Sequence, residues 1–366
     1  MKVCVIGAGV VGCATAFELQ RGGHDVTLVD AQPGPGLGTT FANGAQLSYR
    51  YVEPLANPAT FRALPTLFLS AQSPVRFRFA PDPHQWLWGL KFLLACRGAQ
   101  ARSGTRELLE LTALSEHTLG EWMRAIPLDF GFRRNGKLVL CPTDDSLAHQ
   151  ASQVLLQSAG SQAVQEVLPR EECLAVEPAL CQFDDFVGGV WTPGECLGDP
   201  LRLSRALCDE LTHQGAAPLF KTSVKSFHIE GGTAQVLRTG DGELTADAFV
   251  LCTGIDAPRL ARGLGEWLPI YPIKGYSVTL ETHRDAQTPE VSVTDLGRKM
   301  VLAPLEGRLR AAAMAEVAGH DLTIHDERIE EMLDGVDAIY PRLCARQPAR
   351  AWAGLRPATP TSASWP

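Results

Sequence analysis

The chain has 366 residues and a formal net charge of −8, with 33 Lys and Arg against 41 Asp and Glu. That length can bury a large core in two domains, or in one large domain with an insertion, and the acidic balance offers no basic stripe for a nucleic-acid backbone. The ten cysteines include no CxxC and no Cys–His spacing suited to a metal, and no apolar run approaches the ~18 residues of a membrane span; a small-molecule partner and a reducing cytoplasm are expected.

The first thirty residues carry the strongest signal. Val3 to Ile6 is a short continuous apolar run, the pattern of a parallel strand buried on both faces. Gly7, Ala8, Gly9, Val10, Val11 and Gly12 then spell GxGxxG, Val11 to Leu19 reads as a helix, and a second strand, Val26 to Val29, ends on Asp30. Gly7 permits a tight turn, Gly9 lets a pyrophosphate approach the backbone, and Gly12 allows the helix to sit close to the strand. The helix N-terminus offers N–H groups and partial positive charge to phosphates, and Asp30 can accept hydrogen bonds from a ribose. Lys2 before an apolar stretch imitates a signal peptide, but the glycine spacing with Glu18 and Arg21 favours dinucleotide binding. FAD and NAD use the same unit, so this stretch leaves the choice between them open.

Beyond a Gly- and Pro-rich loop, Pro33 to Gly38, the run Thr39 to Gln46 either lies beside the cofactor or is a plain surface loop. Asp82 to Cys96 reads as a helix with Pro83 in its first turn; Trp86, Trp88, Leu90, Phe92, Leu93 and Leu94 make it a packed core helix or a surface element that touches lipid or a partner. Glu107 to Arg124 is an amphipathic scaffold helix. Leu138 to Leu140 is a strand, Thr143 to Asp145 caps a helix over Ser146 to Ser158, Val190 to Thr192 is a strand, and Asp199 with Pro200 opens a helix to about His213. Three short strands follow within Phe220 to Thr253, the last running through Val250 and Leu251 into Thr253 and Gly254 as a second buried parallel strand beside the first. Tyr276, Val278 and Leu280 alternate, as do Val291 and Val293, which suits an antiparallel sheet forming one wall of a pocket.

Taken together, the Val5 to Asp30 unit, the Thr40, Ala42, Asn43, Gln46 loop, Gly188 to Asp199, the Pro272 to Tyr276 run, Met314 to Glu316 and the Gly354 to Pro357 run resemble FAD-dependent D-amino acid dehydrogenases, of the wider group of D-amino acid oxidase and glycine oxidase. The resemblance implies an α/β fold: a discontinuous Rossmann-type FAD-binding domain (residues 1–80 and 198–266) and a second α+β substrate domain on an antiparallel sheet (81–197 and 267–360). It implies FAD-dependent oxidative deamination of small D-amino acids to 2-oxo acids and ammonia, by hydride transfer from Cα to flavin N5. Gly7, Gly9, Val10, Val11, Gly12, Asp30, Ala31, Thr39, Thr40, Asn43, Gly44, Gln46, Val224, Thr253 and Gly254 would bind the cofactor. Arg356 would grip the substrate carboxylate, for which a planar fork is suited, unless it merely salt-bridges at the surface. Lys274 and Tyr276 match a run near flavin and substrate, although Tyr276 also reads as a packed strand aromatic; Met314 lines the flavin or the core.

Members of the group are often peripheral membrane enzymes that pass electrons to quinone, so a quinone or electron carrier is the expected acceptor, with membrane contact through 86–94 on the inner face. Related flavin oxidases of glycine, sarcosine or secondary amines are the alternative. The family pattern also continues past Thr359 through an Asp-Gly pair and a further strand and helix, whereas residues 361–366 here are an atypical tail. That ending predicts a chain with weakened flavin binding, little or no activity, and an open sheet edge beside the first strand.

Overall fold

A computed structural model describes residues 1–69, 75–158, 164–346 and 348–362. By contacts the chain divides into two compact units: Met1–Asn43, Pro127–Phe130 and Asp199–Tyr271 form one, and Gly44–Ile126, Gly131–Gly198 and Pro272–Pro366 the other.

In the first unit the strand Lys2–Ile6 lies between Asp25–Val29 and Ala248–Leu251, parallel to both, with Val3 opposite Val26 on one side and Ala248 on the other. The expected second parallel strand is therefore found beside the first. Val5, Leu28 and Val29 are fully buried, as the unbroken apolar runs required. The helix Val10–Arg21 follows the glycine turn, and the helix Pro200–His213 begins at Asp199, whose carboxylate accepts hydrogen bonds from the backbone N–H groups of Leu201 and Arg202 at 3.0 and 3.3 Å. An antiparallel ribbon, Val224–Glu230 with Thr233–Thr239 and Glu243–Thr245, completes the unit.

The second unit is built on a nine-stranded sheet among the described residues. Its centre is antiparallel, Tyr271–Glu281 pairing with Arg308–Val317, then Met300–Leu305, then Ser292–Asp295. The sheet as a whole is mixed rather than antiparallel, because Ser292–Asp295 runs parallel to Lys137–Cys141 and Val75–Phe77 runs parallel to the end of Arg308–Val317. Residues 44–80, assigned by sequence to the nucleotide-binding part, cluster in contacts with this second unit. Gln46–Leu47 pairs with Cys196–Leu197, and Val75–Phe77 with Ala315–Val317; neither long-range pairing leaves a local signal.

Alternation along these strands separates two faces. One carries Leu138, Tyr276, Val278, Val293, Leu302, Ala311 and Ala313, in one apolar core with Ile329, Met332, Leu333 and Val336 of the helix Asp326–Ile339. The other carries Lys137, Ser277, Thr279, Ser292 and Arg310, all buried. Lys137 is only 6% exposed; its Nζ donates to Ser48 Oγ at 2.9 Å and lies 4.7 Å from the centre of the Tyr51 ring. It thereby ties the sheet to the segment that begins at Gly44.

Desolvation lowers the Lys137 pKa from 10.5 to about 8, with the charge of Glu195 opposing the change. Between those values the unfolded chain binds the proton more tightly than the folded one, so this group makes stability rise with pH from about 8 to 10.5. Denaturant titrations should show the stability difference between the parent and Lys137→Met shifting in the parent's favour by up to roughly 3 kcal/mol over that window, at about 1.4 kcal/mol for each tenfold difference in proton affinity between the folded and unfolded chain. Equal slopes in the two proteins would mean that the buried amine is not destabilised by its charge.

Candidate functional site

The glycine turn is set by close backbone approach. Gly7 has φ +103°, and a Cβ there would sit 2.4 Å from the Cys252 carbonyl oxygen. A Cβ on Gly12 would sit 1.7 Å from the Gly7 carbonyl oxygen, so the helix Val10–Arg21 can rest on the strand only through bare backbone. Gly9 is the N-cap and supplies no capping side chain. Thr40 serves instead: its Oγ1 accepts from the Val10 N–H at 3.0 Å. Val11, at the helix start, is 63% exposed.

Asp30 stands at the end of the second strand, but its carboxylate is already used. Oδ2 accepts from the Ala8 N–H at 2.5 Å and Oδ1 from the Gln32 N–H at 2.7 Å. Asp30 thus fastens the glycine turn to the loop that starts at Ala31, in addition to any ribose it receives. Thr253 and Gly254 follow the third strand; Thr253 Oγ1 is buried without a hydrogen-bond partner in the structure, and Gly254 has φ +56° with open space where a Cβ would point. Val224 opens the antiparallel ribbon, and its carbonyl accepts from Arg259 at 3.4 Å. Thr39 and Asn43 belong to this same unit. A turn without side chains, a helix start with no cap of its own, an acid beside both and an unsatisfied threonine hydroxyl together fit a dinucleotide.

The other candidates belong to the second unit. Gly44 lies against the sheet, where a Cβ would meet Val301 at 3.5 Å and Ala312 at 3.8 Å. Gln46 Nε2 points at the carbonyls of Val293 and Leu302, both at a long 3.5 Å.

Lys274 and Tyr276 are held in a buried polar cluster. Lys274 is 0% exposed; its Nζ donates to the Thr323 carbonyl at 2.8 Å and pairs with Glu316 at 3.4 Å and Asp321 at 3.7 Å. The Tyr276 hydroxyl donates to Glu316 Oε2 at 3.1 Å, and Arg328 Nε reaches Glu316 Oε1 at 3.2 Å. Backbone and side-chain hydrogen bonds from Thr323 hold the Asp321 carboxyl down at about 2. This cluster ties the Tyr271–Glu281 and Arg308–Val317 strands to the segment around Thr323 and the helix Asp326–Ile339. Lys274 and Tyr276, expected near flavin and substrate, lie together in this buried cluster. Glu316 and Arg328 complete the cluster; Arg328 had no signal in the sequence, because its burial depends on a helix packed from far along the chain.

Gly275, between them, points the opposite way. A Cβ at 275 would meet Arg356 Nη2 at 3.0 Å, Nε at 3.3 Å and Cζ at 3.4 Å, so the guanidinium lies over the bare strand. Arg356 is exposed, yet the surrounding protein desolvates it enough to lower its pKa from 12.5. Among the described residues no carboxylate pairs with it. Met314, 8% exposed and packed with the apolar core, has φ +68° where the pairing of the two strands shifts between Lys274 and Tyr276. That is the geometry of a β-bulge.

A model of the family of FAD-dependent oxidoreductases matches residues 2–364. The D-amino acid dehydrogenase 2 of Pseudomonas aeruginosa is 41% identical over 362 residues, covering 98% of this chain and 85% of the relative. Among solved structures, glycine oxidase from Geobacillus kaustophilus superposes with a TM-score of 0.71 at 21% identity, over 98% of this chain and 82% of that one. The L-α-glycerophosphate oxidase from Mycoplasma pneumoniae with FAD bound gives 0.67 at 19%, over 98% and 83%. At those identities the structures speak for the fold.

Asp30 yields a test that needs no ligand. At about 1.5–3 kcal/mol for each charge-assisted bond, reduced by partial exposure, Asp30→Ala should lower the unfolding free energy of the flavin-free chain by roughly 2–4 kcal/mol, and Asp30→Asn by about half of that. Unchanged apo stability would confine Asp30 to contact with the cofactor.

Proposed function

The chain belongs to the family of FAD-dependent oxidoreductases, and we propose on that premise that it oxidatively deaminates small D-amino acids, with Arg356 holding the substrate carboxylate. The observation that carries the role of Arg356 is its state in the structure: an exposed guanidinium lying over bare backbone, with no acidic partner among the described residues. An arginine fork bonds both oxygens of a carboxylate at once and fixes its plane as well as its position. The chemistry FAD supplies when bound is two-electron acceptance, the Cα hydride passing to flavin N5, after which water converts the imino acid to a 2-oxo acid and ammonia.

The protein's share of the work is positioning. Gly7, Gly9, Val10, Val11, Gly12, Asp30, Ala31, Thr39, Thr40, Asn43, Val224, Thr253 and Gly254 are the residues of the first unit that would hold the dinucleotide. Thr253 Oγ1 would gain there the partner it lacks. Arg356 orients the substrate. A side-chain base is unnecessary when the amine is bound neutral, and Lys274 and Tyr276, being buried, supply none.

Three measurements test this reading. The purified, flavin-loaded protein should absorb near about 450 nm, as oxidised flavins do, and be bleached by D-alanine but not by L-alanine without oxygen. Losing the guanidinium in Arg356→Ala should cost roughly 2–5 kcal/mol of substrate binding, seen as a rise in KM. An unchanged KM would remove Arg356 from the substrate, bleaching by L-alanine would overturn the handedness, and stoichiometric peroxide release in air would identify an oxidase instead of a dehydrogenase.

The electron acceptor in this reading is a membrane quinone or an electron carrier, reached at the inner face of the membrane. No described helix is long and apolar enough to cross a bilayer. The helix Pro83–Ala95, capped by Asp82 through the His84 N–H at 2.9 Å, instead turns apolar residues outward. Trp86, Leu87, Leu90, Leu93 and Leu94 are all exposed, and exposed Phe79 stacks on Trp86 at 5.5 Å. Trp88, with Phe92 stacked on it at 5.2 Å, anchors the inner side, and its indole N–H donates to the Ala358 carbonyl at 2.8 Å. An exposed apolar stripe of this kind suits the headgroup boundary of a bilayer. Trp86→Ser with Leu90→Ser should abolish co-sedimentation with anionic lipid vesicles while leaving D-alanine-dependent reduction of a soluble dye intact; retained sedimentation would refute the membrane contact.

A further inference from the structure

Arg356 owes its position to something other than a pairing partner. A guanidinium on a flexible stem, exposed and without an acidic neighbour among the described residues, would ordinarily sample several rotamers. Here it rests on the strand at Gly275, with Nη2, Nε and Cζ all within 3.4 Å of where a Cβ would stand. Only the absent side chain makes that rest available. The strand beneath is stiff, because on the opposite face Lys274 is fixed to Glu316, Asp321 and the Thr323 carbonyl, and Tyr276 to Glu316. The bulge at Met314 lies across from it.

We propose that Gly275 is a positioning residue for catalysis: its bare backbone is the seat that sets the Arg356 fork at the angle in which it receives the substrate carboxylate. The proposal rests on the role of Arg356 given above and assigns Gly275 no contact with substrate. A methyl group at 275 displaces the fork by a few tenths of an ångström, since the nearest atoms are the far end of a flexible side chain. Such a change is mild for the fold but felt at the site, because a tilted fork no longer meets both carboxylate oxygens at once.

A cycle of Gly275→Ala, Arg356→Lys and the double variant separates the possibilities. Gly275→Ala should raise KM for D-alanine about tenfold, leave kcat within about twofold, and leave the melting temperature and the flavin absorbance per chain unchanged. A ligand readout independent of turnover should agree: the propionate concentration giving half of the ligand-induced rise in melting temperature should increase by the same factor. In the Arg356→Lys background, adding Gly275→Ala should have no further effect, because a residue that acts through the fork has nothing left to act on. Fully additive effects, or an unchanged KM in Gly275→Ala beside a raised one in Arg356→Lys, would overturn the role of Gly275. An unchanged KM in Arg356→Lys would overturn the carboxylate role of Arg356 itself, which is a separate failure. Should Gly275→Ala melt well below the parent, the propionate half-point is read on its folded form at a lower temperature by the quenching of protein fluorescence, and an unchanged half-point there overturns the role of Gly275.

Discussion

The constraint on which the nucleotide-binding unit depends is backbone-to-backbone contact between its first strand and first helix. With the Gly7 carbonyl oxygen 1.7 Å from the place a Gly12 Cβ would occupy, no side chain of any size is admissible, and the separation of helix and strand is fixed by main-chain atoms alone. Asp30 then ties the turn down by accepting from Ala8, and Thr40 by accepting from Val10. The second unit uses the same device for another purpose. At Gly275 a missing side chain admits a guanidinium instead of a helix, and the strain is far smaller because the visitor is flexible.

The period of a β-strand decides what these residues can do. Lys274, Gly275 and Tyr276 are neighbours in sequence, yet alternation sends Lys274 and Tyr276 to one face of the sheet and leaves Gly275 beneath Arg356 on the other. The buried charges are costly to assemble: removing one partner from such a cluster typically destabilises by about 3–5 kcal/mol, whereas apolar replacement of the whole is often neutral. Their value is therefore geometric. Lys274 and Arg328 converge on Glu316 from two different elements, and so fix where the bulged strand lies against its covering helix.

The sequence made the Val3 to Asp30 unit legible because every cue in it is local: apolar run, glycine spacing, helical stretch, terminal acid. The helix starts near Asp82 and Asp199 were readable for the same reason, and the parallel strand ending at Leu251 followed from its apolar run. What escaped depends on distant partners. The ribose reading of Asp30 did not foresee its two backbone hydrogen bonds, since these require the turn to fold back upon it. The Pro272 to Tyr276 motif carried location but not direction, which is set by register with Ala311 to Glu316. The parallel pairing of Val75–Phe77, the burial of Lys137 against Ser48, and the outward stripe of the Trp86 helix likewise follow from tertiary packing. The composition of that helix fitted both a core and a surface, and only the burial of Trp88 against Ala358 distinguishes which side is which.

On the proposed role of Arg356, a net charge of −8 raises the question of how an acidic chain would attract a carboxylate. Distance decides it. At physiological ionic strength the screening length is about 8 Å, so acidic groups spread over the surface contribute little at any one point. A unit pair at about 4 Å in a partly desolvated site is worth some 4 kcal/mol at an effective dielectric constant near 20. A small amino acid whose charges sum to zero meets no long-range repulsion from the acidic surface, and a dicarboxylic one would. The same local balance explains why the fork is better seated on bare backbone than beside an acid. A carboxylate neighbour would hold the guanidinium in place, but it would also occupy the bonds that the proposed substrate would make.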